Sequence, residues 1–228
     1  MMLTSSDHAL LRRATLFAET PSSTVDRLLA SAHAQSFAAG SVLFEQGGPS
    51  GFLHVLLSGR VGLIGRAEDG HETVVEFFGP GDIFIAPAVI LELPYLMAAR
   101  VLDEARVLMI PAEQVRAALA SDAGLTRAMM RELARHWRLL VRQIKDLKLR
   151  RGPQRLAAHL LTLPRSRSGE IHLPEERRFL AQRLGMTPES LSRAFASLRR
   201  LGVSGRGRRV VVADPAKLEA YAAVDKIV

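Results

Sequence analysis

Cysteine is absent from the 228 residues. That excludes disulfides, Cys-ligated zinc, Cys-ligated iron–sulfur clusters and thiol redox sensing. No run of about 18 or more uninterrupted apolar residues occurs, so no membrane-spanning helix is expected. The start, Met1-Met2-Leu3-Thr4-Ser5-Ser6-Asp7, lacks a basic segment followed by an apolar core. No signal peptide is therefore expected, and a cytoplasmic chain is the default reading. No metal-ligand cluster and no nucleophile–base pair stands out, which argues against an enzyme.

What is present is an ordinary globular composition with an uneven charge. The chain is long enough for one large or two modest domains. Its 48% hydrophobic and 24% charged residues are those of a soluble protein. From Met1 to Asp122 there are 8 basic and 14 acidic residues; from Ala123 to Leu149, 7 and 2; from Arg150 to Val228, 16 and 7. An acidic first half thus runs into a basic second half, and only the latter is suited to a polyanion. Of those 16 basic residues 14 are Arg and 2 are Lys. Arg favours bidentate contacts to phosphate and guanine, so nucleic acid leads over a solvated basic surface or a membrane-surface helix.

Residues Asp7 to Phe17 read as a short amphipathic helix, and Pro21-Ser22-Ser23 opens a second with Val25, Leu28, Leu29 and Ala32 on one face. From Phe37 to Ile110 the pattern becomes short strands: Ser41–Phe44, Phe52–Leu57, Arg60–Ile64, Glu72–Phe78, Ile83–Ile85, Ala98–Leu102 and Arg106–Ile110. Turns at Gly47-Gly48-Pro49, Ser58-Gly59, Asp69-Gly70 and Gly79-Pro80-Gly81-Asp82 separate them, which indicates a sandwich or barrel. Pro111 to Leu119 reads as a helix, followed by a long one over about Ala123–Leu149. On that helix Leu133, Trp137, Leu140, Ile144 and Leu147 alternate steps of four and three, the spacing of a coiled-coil seam. A core face would show a similar stripe. Arg127, Arg131, Arg135, Arg138, Arg142, Lys145 and Lys148 flank it and keep it narrow, which favours a parallel dimer helix. Arg150-Arg151-Gly152-Pro153 breaks the helix and serves as a hinge. Three regions follow: 1–122, 123–150 and 151–228.

Beyond the hinge come a helix over Gln154–Leu163, a basic loop from Pro164 to Gly169 and a short strand at Glu170–Leu173. Then Leu180 to Leu201 reads as two helices joined by a tight turn. Gly185 suits a helix end with positive φ, Thr187 an N-cap, and Pro188 the first helical position. Leu191, Phe195, Leu198 and Leu201 form the buried face of the second helix. Glu189, Ser192 and Arg193 share another face near its start, which is how a helix-turn-helix presents residues to a major groove. An ordinary surface αα-hairpin is the alternative. Gly202 to Ala213 reads as a basic hairpin, and Asp214-Pro215 caps a last helix.

In this order the elements give an α+β chain: an N-terminal β-roll, a long dimerisation helix and a C-terminal winged helix-turn-helix. The whole, over about Leu16–Ala222, resembles the Crp/Fnr family of bacterial transcription regulators. The marks are Gly40-Ser41-Val42-Leu43-Phe44-Glu45-Gln46-Gly47, Leu56-Leu57-Ser58-Gly59-Arg60-Val61, Gly79-Pro80-Gly81-Asp82 and the helix-turn-helix. The resemblance implies a cyclic-nucleotide-binding-like jelly roll, a homodimer on double-stranded DNA and, in an activator, contact with RNA polymerase. Cyclic-AMP members carry Gly-Glu after the Gly-Asp turn and then Arg-Ser for the phosphate. Here the first stretch is Asp82-Ile83-Phe84-Ile85-Ala86-Pro87-Ala88-Val89, and Tyr95 and Leu96 stand at the Arg-Ser positions. Cyclic AMP is therefore not expected to bind, and the missing cysteines exclude an Fnr-type cluster.

Glu189-Ser190-Leu191-Ser192-Arg193 resembles the Glu-x-x-Ser-Arg of the Fnr and Dnr branches, implying a TTGAT-type inverted repeat. The segment Ala88–Tyr95 looks similar to the cysteine-free Dnr branch, which answers nitric oxide through haem. Candidate DNA contacts are Thr187, Glu189, Ser190, Ser192, Arg193 and Arg199, with Arg206, Arg208 and Arg209 in the wing. His54, Pro87, Val89, Ile90, Tyr95 and Leu96 are the candidate effector pocket. His54, one of seven histidines with His8, His33, His71, His136, His159 and His172, is a haem-ligand candidate and equally a satisfied core histidine. A regulator with no effector, or a haem-binding module whose basic tail meets RNA or a membrane, is the alternative.

Overall fold

The computed structural model describes residues 3–70 and 72–223, so the histidine at position 71 lies outside the described residues. The chain divides into two units, Met1–Trp137 and Arg138–Val228.

The first unit opens with three helices, α1 (Ser5–Arg13), α2 (Thr15–Ala18) and α3 (Ser22–Ser31). The periodicity over Asp7–Phe17 predicts a single helix, but Ala14 adopts extended backbone (ψ 130) and divides it. That break lets Leu11, Ala14, Leu16 and Phe17 all reach the core. Thr4 caps α1, accepting from the Asp7 N–H while the Asp7 carboxylate accepts from the Thr4 N–H, a reciprocal capping box.

The strands are β1 (His33–Phe37), β2 (Val42–Phe44), β3 (Phe52–Arg66), β4 (Glu72–Phe78), β5 (Ile83–Phe84) and β6 (Ala98–Pro111). They form one antiparallel sheet in the order β1-β6-β3-β4, with β2 also on β6 and β5 also on β3. Two expected strand pairs, Phe52–Leu57 with Arg60–Ile64 and Ala98–Leu102 with Arg106–Ile110, are each one long strand. Ser58-Gly59 is a bulge, not a turn: the β3–β6 register shifts there, and Gly59 takes φ 82 against the backbone of Glu104 and Ala105. A Cβ at Gly59 would lie 2.6 Å from Ala105 Cα, so only glycine permits this approach. Strand β1 goes unmarked in the sequence because only Ala34 of its five residues is buried. The Asp69-Gly70 hairpin is present between β3 and β4, with Gly70 at φ 83.

Along β3 the pleat sends Leu53, Val55 and Leu57 to a core shared with α1, α2 and α3. Leu56, Val61 and Leu63 go to a second core inside the roll, with Phe78, Phe84, Val101 and Val107. Helix α4 (Ala86–Leu91) lies between two left-handed residues, Ile85 (φ 71) and Glu92 (φ 56). A β-branched residue at positive φ is a genuine backbone outlier, costing on the order of 1–3 kcal/mol. Helix α5 (Ala112–Ser121) follows β6, with Pro111 at its N-cap.

Helix α6 (Ala123–Leu149) runs as the sequence predicts. Its first turns bury Leu125, Ala128 and Met129 in the first unit's core, with Leu133 packed against them. Leu133 thus packs against the core of its own chain, while Trp137, Ile144 and Leu147 of the expected seam are exposed, with Met130 and Val141 beside them. The steps of seven and three from Trp137 through Ile144 to Leu147 are those of a seam.

The second unit holds α7 (Gly152–Thr162), β7 (Glu170–His172), α8 (Arg177–Arg183), α9 (Pro188–Leu198), a 3-10 turn (Arg199–Leu201), β8 (Val203–Arg206), β9 (Arg209–Val212) and α10 (Pro215–Ala222). The three strands form an antiparallel sheet β7-β9-β8. Its core joins Leu156, Leu160, Ile171, Leu180, Leu191, Leu198, Val210 and Leu218. On α9 the buried face is Leu191, Ala194 and Leu198, with Phe195 and Leu201 only half-buried.

Candidate nucleic-acid interface

Helix α9 is built to stop and start where the sequence indicates. Gly185 takes φ 59 after α8, and a Cβ there would meet Leu147 Cδ2 at 2.7 Å, so glycine allows the turn to approach the end of α6. Leu147, expected in a dimer seam, therefore also packs on this turn. Thr187 caps α9, its Oγ1 accepting the Ser190 N–H at 3.2 Å, and Pro188 follows at the first helical position.

Glu189, Ser192 and Arg193 stand exposed on one face of α9. Arg193 Nη2 donates to Ser190 Oγ at 3.0 Å, and Thr187 Oγ1 donates to the same Ser190 oxygen at 3.2 Å. This chain of contacts links the exposed guanidinium to the start of α9. The Glu189 backbone N–H, then the Thr187 hydroxyl, hold the Glu189 carboxyl below the usual range, so it is a charged acceptor at neutral pH. Beside this face lies a groove of about 620 Å³ lined by Gly152 and Pro153 of α7, Met186, and Thr187, Ser190 and Arg193 of α9. The starts of α7 and α9 both border it; at α9 the first N–H groups are already used, since Pro188 has none, Thr187 Oγ1 accepts from Ser190, and the Glu189 carboxyl accepts from its own N–H.

The basic residues divide into two kinds. Arg199 and Arg206 are exposed and make no side-chain hydrogen bond or ion pair among the described residues. Arg208 is committed internally: Nε donates to Leu173 O at 2.9 Å and Nη2 to Pro174 O at 2.6 Å. Arg209 makes a two-bond pair with Glu170, at 2.5 and 2.9 Å. Of the three wing arginines expected to meet phosphate, two therefore already have protein partners. Arg155, which the sequence did not single out, donates to Arg150 O at 2.8 Å, Leu184 O at 2.8 Å and Gly185 O at 3.3 Å. One guanidinium thus joins the end of α6 to the turn before α9. Carbonyls at helix ends lack intrahelical donors, and a cation there complements the dipole, but no spacing in the sequence pairs positions 29 and 30 residues apart.

The residues expected to form an effector pocket do not surround one space. Val89 is fully buried in the core beneath the helices, with Ile90 packed on its edge. Pro87 is exposed and Leu96 is 80% exposed. Only His54 and Tyr95 approach each other, in an aromatic cluster. His54 stacks on Phe84 (5.2 Å, 23°) and lies 5.2 Å from Phe44, which stacks on Tyr95 at 3.9 Å. Burial pushes the His54 imidazole down to about 4, and its Nδ1 has no hydrogen-bond partner. A neutral nitrogen could serve as a ligand, but His54 is buried within the aromatic cluster, so a haem at Nδ1 would need that cluster to open. No group of three or more His, Asp or Glu is placed to hold a metal ion among the described residues.

Another histidine takes a clear role. His136 of α6 lies 3.3 Å from Glu76, a buried carboxylate on β4, and stacks on Phe78. The hydrogen bond to Glu76 raises the imidazole above its ordinary value.

The comparisons with known proteins agree with this geometry. The cyclic nucleotide-binding domain signature matches residues 34–122, and the Crp-like helix-turn-helix domain signature matches residues 154–221. A structure of a candidate cAMP-binding regulatory protein from Silicibacter pomeroyi is 32% identical, covers 96% of this chain and 99% of its own, and superposes with a TM-score of 0.64. The chain belongs to the Crp/Fnr family of transcription regulators. Crp/Fnr regulators are DNA-binding proteins and not enzymes. A cAMP-activated global regulator of Mycobacterium tuberculosis is 26% identical over 216 residues, 92% of this chain and 96% of that protein. DNR from Pseudomonas aeruginosa is similar in fold, at 22% identity and a TM-score of 0.55 over 97% of this chain and all of that one. At that identity the likeness concerns the fold, and nothing singles out the Dnr branch within the Crp/Fnr family. No helix among the described residues is long and apolar enough to cross a membrane.

Proposed function

We propose that this Crp/Fnr regulator works as a homodimer that reads a TTGAT-type inverted repeat and does not answer cyclic AMP. The observation that carries the base readout is the exposed face Glu189-Ser192-Arg193 on a capped helix, with Arg193 held by Ser190. Arg193 pairs bidentately with guanine O6 and N7, Glu189 accepts from cytosine N4, and Ser192 approaches a thymine. Arg206 and Arg199 supply sequence-independent phosphate contacts. The dimer reading is supported by the apolar stripe on α6, where Trp137 is 68% exposed in the single chain. A second copy of α6 laid parallel covers it, and two-fold symmetry then sets the two recognition helices about 34 Å apart.

The reading against cyclic AMP is supported by what stands where nucleotide-binding members hold ribose and phosphate. Ala86 is buried and brings no carboxylate, Tyr95 is stacked on Phe44, and Leu96 projects to solvent. The region 1–122 serves as the sensing domain, 123–150 as the dimer helix and 151–228 as the reader. The closed aromatic cluster around His54 gives no support to a haem. Selection of bound duplexes from a random library tests the readout. The expected product is an inverted repeat with a guanine in each half-site; a single, unrepeated site or no enrichment would refute it.

A further inference from the structure

The wing turn is tied to the recognition helix by one side chain outside both. Arg177 opens α8 and is half-buried. Its Nε donates to Gly207 O, at the tip of the β8–β9 turn, at 2.8 Å. Its guanidinium carbon sits 4.0 Å from the centre of the Phe195 ring on α9. A planar guanidinium can donate from its edge while stacking through its face, which an ammonium cannot match. Gly207 takes φ 60, so the tip is a tight left-handed turn, and Arg206 immediately precedes it. The next residue, Arg208, is itself anchored on Leu173 and Pro174, and its carbonyl accepts the Leu173 N–H at 2.7 Å. The tip is therefore fixed from one side by α8 and from the other by the segment after β7, while the Arg206 side chain is left exposed.

We propose that Arg177 is a positioning residue for DNA binding: it holds the wing at a set distance from α9, so that Arg206 meets a phosphate when α9 enters the major groove. The proposal rests on the DNA-reading function argued above. A contact that is prepared in the free protein avoids the ordering cost of a loose hairpin, so losing Arg177 removes the benefit of Arg206 without touching the base-reading face. Arg177 acts through Arg206, and this separates it from a residue that contacts phosphate itself.

The test is a double-mutant cycle on full-length protein, read as the salt dependence of binding to a random-sequence duplex. Arg206→Ala should lower the slope of log K against log salt by about 1.8, the value for two lost phosphate contacts, one from each protomer of the dimer. Arg177→Met should lower it by a similar amount. The double variant should be no lower than Arg177→Met alone, and half-site base preference should stay as in the wild type. Phe195→Leu, which removes the ring beneath Arg177, repeats the cycle and serves if Arg177→Met does not fold. Additive losses would show that Arg177 contacts phosphate independently and would overturn the proposal, as would an unchanged slope in both Arg177→Met and Phe195→Leu. A wild-type chain that binds no duplex would overturn the DNA-reading assignment itself, and this proposal with it.

Discussion

In the winged helix the candidate contact residues stand in solvent; in the β-roll His54 and Tyr95 are buried, while Pro87 and Leu96 are exposed. Glu189, Ser192 and Arg193 project from a capped helix beside an open groove. His54 stacks on Phe84 and Tyr95 stacks on Phe44, in one aromatic cluster. A reader can act from a fixed, prepared face, because its ligand is a large surface that comes to it. The β-roll instead carries left-handed backbone at Ile85 and Glu92, on either side of α4. The two units also differ in charge, the acidic residues gathering in the first and the arginines in the second. That asymmetry agrees with the helix-turn-helix signature, which lies in the second unit.

The largest expected effect concerns the helix that runs through both units. Trp137→Glu or Ile144→Glu places a carboxylate on the exposed stripe of α6. Binding to the inverted repeat should fall at least 100-fold and sedimentation should report monomers. The melting temperature of the monomer should change little, since both side chains are more than half exposed. A wild-type chain that sediments as a monomer at high concentration would refute the dimer.

Next in size is an opposition between acid and alkali. His54 in the β-roll and His159 in the winged helix are both pushed down, chiefly by burial. Each contributes stability that is present above the unfolded value near 6.5 and is lost as pH falls through the folded value. For His54, which falls to about 4, full titration costs on the order of 3 kcal/mol. His136 is shifted the other way by Glu76, so its contribution is present below about 6.5 and lost as pH rises through its raised value. Denaturation midpoints followed from pH 4 to 9 check both signs. His54→Phe should flatten the acid limb and Glu76→Gln the alkaline one. An acid limb unchanged in His54→Phe would contradict the burial argument.

These titrations bear on how much was legible in the sequence. The reader was nearly all legible because its signals are local: Gly185, Thr187 and Pro188 mark the turn, and the apolar spacing of α9 leaves Glu189, Ser192 and Arg193 outside. The long helix was legible for the same reason: Trp137, Ile144 and Leu147 of the expected stripe are exposed, and only Leu133 leans onto the core. The β-roll was legible as a class but not in detail. Ser58-Gly59 has the composition of a turn, and only the close approach of Ala105, 46 positions away, makes it a bulge in one long strand. The effector residues scatter because the face each one takes depends on pairing partners remote in sequence. Val89 turns into the core while Leu96, seven residues on, points to water. Arg155 and Arg177, and the internal anchoring of Arg208, escape a sequence reading because the acceptors are carbonyls, which every residue carries.

The smallest effect expected is none. Cyclic AMP at micromolar concentration should leave the melting temperature unchanged, since a ligand that binds the native state must stabilise it. A clear rise would contradict the reading that Tyr95 and Leu96 leave no place for the phosphate.

The central claim, that the exposed face of α9 reads bases while the wing only grips the backbone, is tested most directly by duplex selection with Arg193→Ala beside the wild type. The loss should be about 1–3 kcal/mol at the preferred site, with preference relaxed at the half-site guanine and kept elsewhere. An Arg193→Ala protein that retains wild-type preference at every half-site position would contradict it.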